Sequence, residues 1–333
     1  MIKIGVVGYG YWGPNLVRNF SACGDTRVTS VCDGAPARLQ KVSALYPGMK
    51  VTTSAAELIN DPDVDAVAIA TPVDSHFDLA LAALQAGKHV LVEKPITSSS
   101  DQARQLIDEA EKRGLVLMVD HTFVYTGAVR KMRELIDAEG FGRVRYYDST
   151  RVNLGLFQHD VNVLWDLAVH DLSIMSYIID DKPVAVSATG HALAGQPEYV
   201  AYLTVFFGDI IAHINVNWLS PVKIRRTLIG GTSQMIVYDD LETSEKIKLY
   251  DKGINVDETP EDVRKLLISY RTGDLWSPKV ADTEALAVEA AHFAACIRGE
   301  QQPITDGRTG LELVRILEAA NVSMRNNGAP VEL

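Results

Sequence analysis

Gly8-Tyr9-Gly10-Tyr11-Trp12-Gly13 is the stretch of this chain whose residue types most directly suggest chemistry. It is a GxGxxG set between an apolar strand pattern, Ile2–Val7, and a helical pattern, Trp12–Ala22, the context in which such glycines bind a dinucleotide. There Gly8 permits the tight turn, Gly10 lets the backbone approach a pyrophosphate, and Gly13 lets helix and strand pack closely. The helix start adds unpaired backbone N–H groups that attract phosphate charge. A second strand pattern ends at Asp33, 20 residues beyond Gly13. A carboxylate at that distance bonds both ribose hydroxyls and repels a 2′-phosphate, which favours NAD over NADP. Arg38, on the next helix, is the residue type that accommodates the extra phosphate, and pulls the other way.

A nicotinamide cofactor also needs a group that moves a hydroxyl proton as the hydride leaves. Glu93-Lys94-Pro95 follows the strand pattern His89–Val92, so Lys94 stands at the strand end, where an ammonium can stabilise a developing alkoxide. A solvated surface lysine is the plainer alternative. In Trp165-Asp166-Leu167-Ala168-Val169-His170-Asp171, a helix puts Asp166 and His170 at i and i+4 on one face. A carboxylate there fixes the tautomer of an imidazole and raises its basicity. From spacing alone, an ordinary pair on a helix surface is the plainer reading. No third ligand is suitably spaced, so no metal is expected. Ala70-Thr71-Pro72 ends a further strand, and Thr71 and Pro72 either contact the cofactor or simply turn the chain; His76, in the helix that follows, reads as structural.

The elements carrying these groups fall into two patterns. Up to about residue 120, short apolar strands alternate with amphipathic helices, which implies βαβ crossovers and a parallel sheet covered on both faces, a Rossmann domain. Beyond a helix at Ala128–Ala138 the chain becomes strand-rich, with hairpin signals at Phe207-Gly208-Asp209-Ile210 and Gly230-Gly231-Thr232-Ser233. A helical stretch, Val163–Ile179, interrupts the strands, and helices return at Glu284–Arg298 and Gly310–Met324. The fold class is α/β, with domains 1–120 for the cofactor and 121–333 as a second α/β domain with an antiparallel or mixed sheet. At 333 residues two domains are the natural expectation.

Composition narrows the partners. A formal net charge of -11 argues against nucleic acid or an anionic membrane surface as the main partner. Cys23, Cys32 and Cys296 are too few for a disulfide framework and fit reduced thiols in the cytoplasm. Neither a secretory signal nor a membrane-length apolar run is evident.

The ordered set Gly8–Gly13, Thr71-Pro72 with His76, Gly87-Lys88-His89-Val90 running into Glu93-Lys94-Pro95, and Asp166 four residues before His170 resembles the Gfo/Idh/MocA family over essentially the whole chain. The resemblance implies a Rossmann domain followed by an α/β domain with a large, mostly antiparallel sheet used for substrate binding and for homodimer or homotetramer contacts. It makes Lys94 the active-site lysine, whose bond to proline is often cis, and Asp166 and His170 the aspartate and catalytic histidine. Gly8, Gly10, Tyr11, Trp12, Gly13, Asp33, Arg38, Thr71, Pro72, His76, Glu93 and Lys94 form the cofactor set it implies. Val161-Asn162-Val163-Leu164 and Ala168 stand where the family commonly has glycines, a departure that bears on pocket shape. Trp218-Leu219-Ser220-Pro221 through Arg225-Arg226, Tyr238-Asp239-Asp240, and Arg151-Val152-Asn153 look like members acting on nucleotide-linked sugars such as UDP-N-acetylglucosamine, often at C3. Arg151 and Asn153 share one strand face and either meet the sugar or pair with sheet neighbours. The expectation is an NAD(H)-dependent oxidoreductase acting on a CH–OH group. Rival readings are a free polyol dehydrogenase of the inositol type and a non-catalytic NAD(H)-binding regulator.

Overall fold

The computed structural model describes residues 1–155, 161–193, 195–251 and 273–333. The chain forms two compact units, Met1–Tyr125 with Thr283–Arg315, and Thr126–Asp282 with Ile316–Leu333.

The first unit begins with β1 (Ile2–Val7), α1 (Gly13–Ala22), β2 (Thr26–Cys32), α2 (Pro36–Leu45), β3 (Lys50–Thr52), α3 (Ala55–Ile59), β4 (Ala66–Ile69), α4 (His76–Gln85), β5 (His89–Glu93), α5 (Ser100–Arg113) and β6 (Leu117–Asp120). The six strands pair in parallel in the order β3-β2-β1-β4-β5-β6. Strand order therefore reverses between β1 and β4, and a crevice opens at their C-terminal ends. Every residue of β4 and β6 is buried, as strands covered on both faces must be. Local signals set the helix ends: Pro14 opens α1, while Ser99 caps α5 and left-handed Gly114 ends it.

The second unit contains α6 (Gly127–Asp137), β7 (Val144–Leu154), a π-helical turn at Leu164–Ala168, α7 (Val169–Ile178), β8 (Ala185–His191), β9 (Val200–Phe206), β10 (Ile211–Asn217), β11 (Leu219–Gly231), β12 (Met235–Asp239), β13 (Ile247–Tyr250), β14 (Leu275–Trp276) and β15 (Val331–Glu332). Its nine strands run β14-β13-β12-β11-β7-β10-β9-β8-β15. Only the β7–β10 pairing is parallel among those described. Alternation is clear in β9, where Ala201, Leu203 and Val205 are buried while Tyr202 is exposed. Phe207 donates to the Ile210 carbonyl at 3.0 Å and closes the β9–β10 hairpin. At the second hairpin signal the strand continues through Gly231 before the chain reverses. A Cβ on Gly230 would strike the Tyr146 ring, and one on Gly231 would strike Phe141, so these glycines serve close packing. The sequence pattern missed β3, β13, β14 and β15, which are too short to display a period of two.

A single cut near residue 120 does not describe the division into units, because α8 (Ala285–Ile297) groups with the first. The Phe293 ring meets Phe20 of α1 edge-on, with centroids 6.1 Å apart. Arg18 also grips Glu284 through two bonds. These contacts are invisible to a reading that follows the chain in order. The last helix, α9 (Gly307–Arg325), precedes β15. Among the described residues no helix is long and apolar enough to cross a membrane.

Candidate active site

The glycine turn of the first unit has the shape of a phosphate cradle. Gly8 has φ +99, and a Cβ there would lie 2.4 Å from the Ala70 carbonyl oxygen. A Cβ on Gly13 would lie 2.0 Å from the Gly8 carbonyl oxygen, so strand and helix meet only because that position is bare. Gly10 differs: the nearest atom to its added Cβ is Arg38 Nη1 at 3.6 Å, an ordinary van der Waals contact, so the protein's own packing does not require a glycine there. Two glycines are required by the packing of the turn and the third is not, an arrangement that fits a backbone approached by a pyrophosphate at Gly10.

Asp33, at the end of β2, accepts from the Tyr9 N–H at 2.7 Å and the Ala35 N–H at 2.8 Å. Arg38 Nη1 stands 3.3 Å from it, with its side chain half exposed. Burial alone would raise the Asp33 pKa, but the two N–H donors and the guanidinium outweigh it and bring it below the ordinary value. Tyr11 is 94% exposed at the rim of the turn. Trp12 is tied inward, its indole N–H donating to Asp120 Oδ2 at 2.7 Å.

Thr71 and Pro72 follow β4, and the Ser75 hydroxyl donates to Thr71 Oγ1 at 2.7 Å. His76 is buried, with Nδ1 2.8 Å from the Pro95 carbonyl and Nε2 2.8 Å from the Thr71 carbonyl. It fastens the end of β4 to the segment after β5, a positioning task. Burial lowers its pKa against the pull of both carbonyls, and a neutral imidazole can donate to only one of them. Lys94 leaves β5 through a cis bond to Pro95. Its own N–H donates to Glu93 Oε2 at 3.1 Å.

In the second unit Asp166 lies in the π-helical turn and His170 in the first turn of α7. The sequence pattern gives one regular helix over this stretch; the structure widens its beginning, a feature frequent at functional sites. Asn162 caps the wide turn, its side-chain oxygen accepting from the Leu164 N–H at 3.1 Å. Its amide donates to Glu198 and Asn321. The buried Trp218 donates its indole N–H to Asp166 Oδ2 at 3.0 Å and so holds the carboxylate beside the helix start. Arg151 belongs to a different arrangement. Its guanidinium is buried and grips Asp171 through Nε at 2.6 Å and Nη2 at 3.2 Å. Burial opposes the charge on Arg151, and Asp171 more than restores it. Arg151 is thus taken up by a partner on α7, which is neither a sugar nor a neighbour in the sheet; Asn153, two residues on, is only partly buried.

A model of the oxidoreductase family with an NAD-binding Rossmann fold matches residues 2–121, and a GFO/IDH/MocA C-terminal domain model matches residues 129–237. The chain belongs to the Gfo/Idh/MocA family. It is 28% identical over 324 residues to a UDP-N-acetylglucosamine 3-dehydrogenase of Acidithiobacillus ferrooxidans, covering 96% of this chain and 95% of that protein. The solved structure of the enzyme with that name from that organism superposes with a TM-score of 0.82 at 26% identity over 98% of both chains. A scyllo-inositol 2-dehydrogenase (NAD(+)) of Bacillus subtilis is 25% identical over 347 residues, covering 100% of this chain and 95% of its own. This Gfo/Idh/MocA protein is an NAD-binding oxidoreductase that acts on CH–OH groups.

Sequence reasoning did not single out Asn162, Trp218 as the partner of Asp166, Asp120, or Glu289 on α8. Asn162 carried a usable signal, an amide residue just ahead of a helical pattern. The others meet their partners only in three dimensions.

Proposed function

We propose that this enzyme transfers a hydride between NAD and a secondary alcohol or ketone on the ring of a nucleotide-linked sugar, of the UDP-N-acetylglucosamine type, at C3. The observation that carries the reading is the likeness, over 96% of this chain, to a UDP-N-acetylglucosamine 3-dehydrogenase. When bound, the nicotinamide takes or returns the hydride. In the oxidative direction His170 accepts the hydroxyl proton, Asp166 orients the imidazole, and the Lys94 ammonium stabilises the alkoxide-like oxygen. Asp33, as an anion at the ribose end, favours NAD over the 2′-phosphorylated cofactor. Gly8, Gly10, Tyr11, Trp12, Gly13, Thr71, Pro72 and Glu93 complete the proposed cofactor set, and Asn153 is proposed to face the sugar.

We also propose a homo-oligomer built on the second unit's sheet, whose Tyr202 and Ile211 are exposed and whose Tyr146, Phe206 and Val237 are partly so. Three unpaired cysteines fit a reducing cytoplasm. The likeness to scyllo-inositol 2-dehydrogenase favours a second reading, oxidation of a free polyol.

The test follows NADH absorbance with UDP- and dTDP-sugars, inositols and free hexoses, with NAD+ and NADP+ in parallel. The first reading expects turnover with UDP-sugars and NAD+. Turnover with inositol alone selects the second, and tight NADH binding without turnover on any of them selects a regulator.

A further inference from the structure

Beside Lys94 the first unit encloses more acid than it can leave ionised. Glu93 and Asp120 are register partners at the C-terminal ends of β5 and β6. Glu289 reaches Asp120 from α8 and is 0% exposed. Asp120 is well served as an anion, accepting from the Trp12 indole at 2.7 Å and from the Thr122 hydroxyl. The other two are not. Neither oxygen of Glu289 faces a donor, and Glu93 Oε1 is enclosed without one, although part of that residue reaches the surface. A buried carboxylate without a donor bears its full desolvation cost, and three anions in contact repel one another.

A proton on each glutamate removes both problems, because a carboxylic acid donates where a carboxylate only accepts. We propose that Glu93, Asp120 and Glu289 form an acid–carboxylate–acid set that keeps one negative charge, on Asp120, next to Lys94, with Asp120 and Glu289 as positioning residues for that lysine. This rests on the role given to Lys94 above. Burial, then the charge of Asp120, drives both glutamates well above the usual carboxylate range, and in Glu93 the Lys94 ammonium opposes part of that. The set faces Lys94 on its own strand end, His121 beyond β6 and Tyr125 in the turn that follows. His76 of α4 reaches it only through Lys94. His121 is fully enclosed with neither ring nitrogen partnered, and burial brings its pKa down to about 4, so it adds no positive charge at neutral pH. Among the described residues no group of three His, Cys, Asp or Glu side chains is arranged to hold a metal, so a bound cation does not account for these acids.

The pH dependence has a definite sign. An acid that holds its proton more tightly when folded contributes stability in full below its unfolded pKa of about 4.3, and that stability is lost as pH rises toward the folded value. Glu289→Gln keeps an N–H donor toward Asp120 without that liability. The variant is expected to melt several degrees above the wild type at about pH 8 and to lose the advantage near pH 5. Infrared spectra of the unmodified enzyme at the higher pH should contain un-ionised carboxylic acid carbonyl bands, one of which disappears in Glu289→Gln. Asp120→Asn removes the negative charge that the proposal assigns to the set beside Lys94, and the alkaline edge of kcat/KM should move to lower pH. Absence of the acid carbonyl bands, or a Glu289→Gln melting difference that does not depend on pH, overturns the proposal. The melting and infrared readings need no substrate, so a chain that turns over nothing would refute the role of Lys94 while leaving the acid set standing.

Discussion

The two units position their chemical groups by different means. In the first, Gly8, Thr71, Glu93, Lys94 and Asp120 all stand at C-terminal ends of parallel strands, and strand register alone sets Glu93 beside Asp120. In the second, Asp166 and His170 stand on a distorted helix start, held by two individual side chains: Asn162 caps the turn and Trp218 fixes the carboxylate. A sheet edge distributes the positioning over many backbone hydrogen bonds. A helix start fixed by one indole and one amide concentrates it. The first unit should therefore tolerate the loss of a polar contact that only positions another group better than the second, a rule that does not extend to Asp33, which is proposed to meet the cofactor itself.

The largest expected effects lie at the two groups proposed to take part in the reaction, one in each unit. Lys94→Ala and His170→Ala should each lower kcat/KM by about 10²–10⁴-fold, the range for losing a positioned acid–base or charge-stabilising group. The His170→Ala variant should bind NADH with unchanged Kd, since the glycine turn and Asp33 belong to the other unit. Near-normal turnover by either variant, with the fold intact by circular dichroism, would remove that residue from the chemistry.

Next comes the buried pair that anchors α7 to its sheet. Arg151→Met leaves Asp171 enclosed without its partner and should cost about 3–5 kcal/mol of stability, measured by denaturant unfolding. Adding Asp171→Leu should recover most of the loss, because the pair is then replaced by apolar groups. A single variant as stable as the wild type would show that the ion pair does not anchor the helix, and the contrast between the units would weaken.

The same contrast explains what the amino-acid sequence reveals. Glycine spacing, Asp33 and the strand–helix alternation are local patterns, and parallel topology carries them to one edge; the first sheet was legible on that account. The Lys94 position was legible as a strand end, and its cis bond to Pro95 agrees with the family resemblance. The π-helical turn was not legible, because Leu164–Ala168 has the same apolar spacing as an ordinary helix. Nor was the return of α8 to the first unit, since Phe293 and Phe20 are 273 positions apart. Glu289 reads as one more polar residue on an amphipathic helix until the fold encloses it.

Asp33 tests the first unit at its most exposed function. Asp33→Ala removes the acceptor for the Tyr9 and Ala35 N–H groups and releases Arg38. Losing hydrogen bonds to a charged group, about 1.5–3 kcal/mol, should raise KM for NAD+ by about 10–100-fold. NADP+ should improve relative to NAD+ as the freed guanidinium meets the 2′-phosphate. Unchanged KM values for both cofactors would show that the carboxylate does not read the ribose.

The smallest effect sharpens the comparison most. Trp218→Phe keeps most of the buried ring and deletes only the N–H that holds Asp166. One hydrogen bond to a carboxylate is worth about 1.5–3 kcal/mol, and in the proposed mechanism Asp166 acts through His170 rather than on the substrate. A fall in kcat of about tenfold is expected, some 1.4 kcal/mol, with NADH affinity untouched. If Asp166 holds the imidazole in one tautomer, as proposed, the acid limb of the kcat pH profile should move together with the rate. A variant with lower melting temperature but an unshifted pH profile would mean that Trp218 only fills space, and that His170 is positioned by the helix backbone, as the first unit positions its groups by strands.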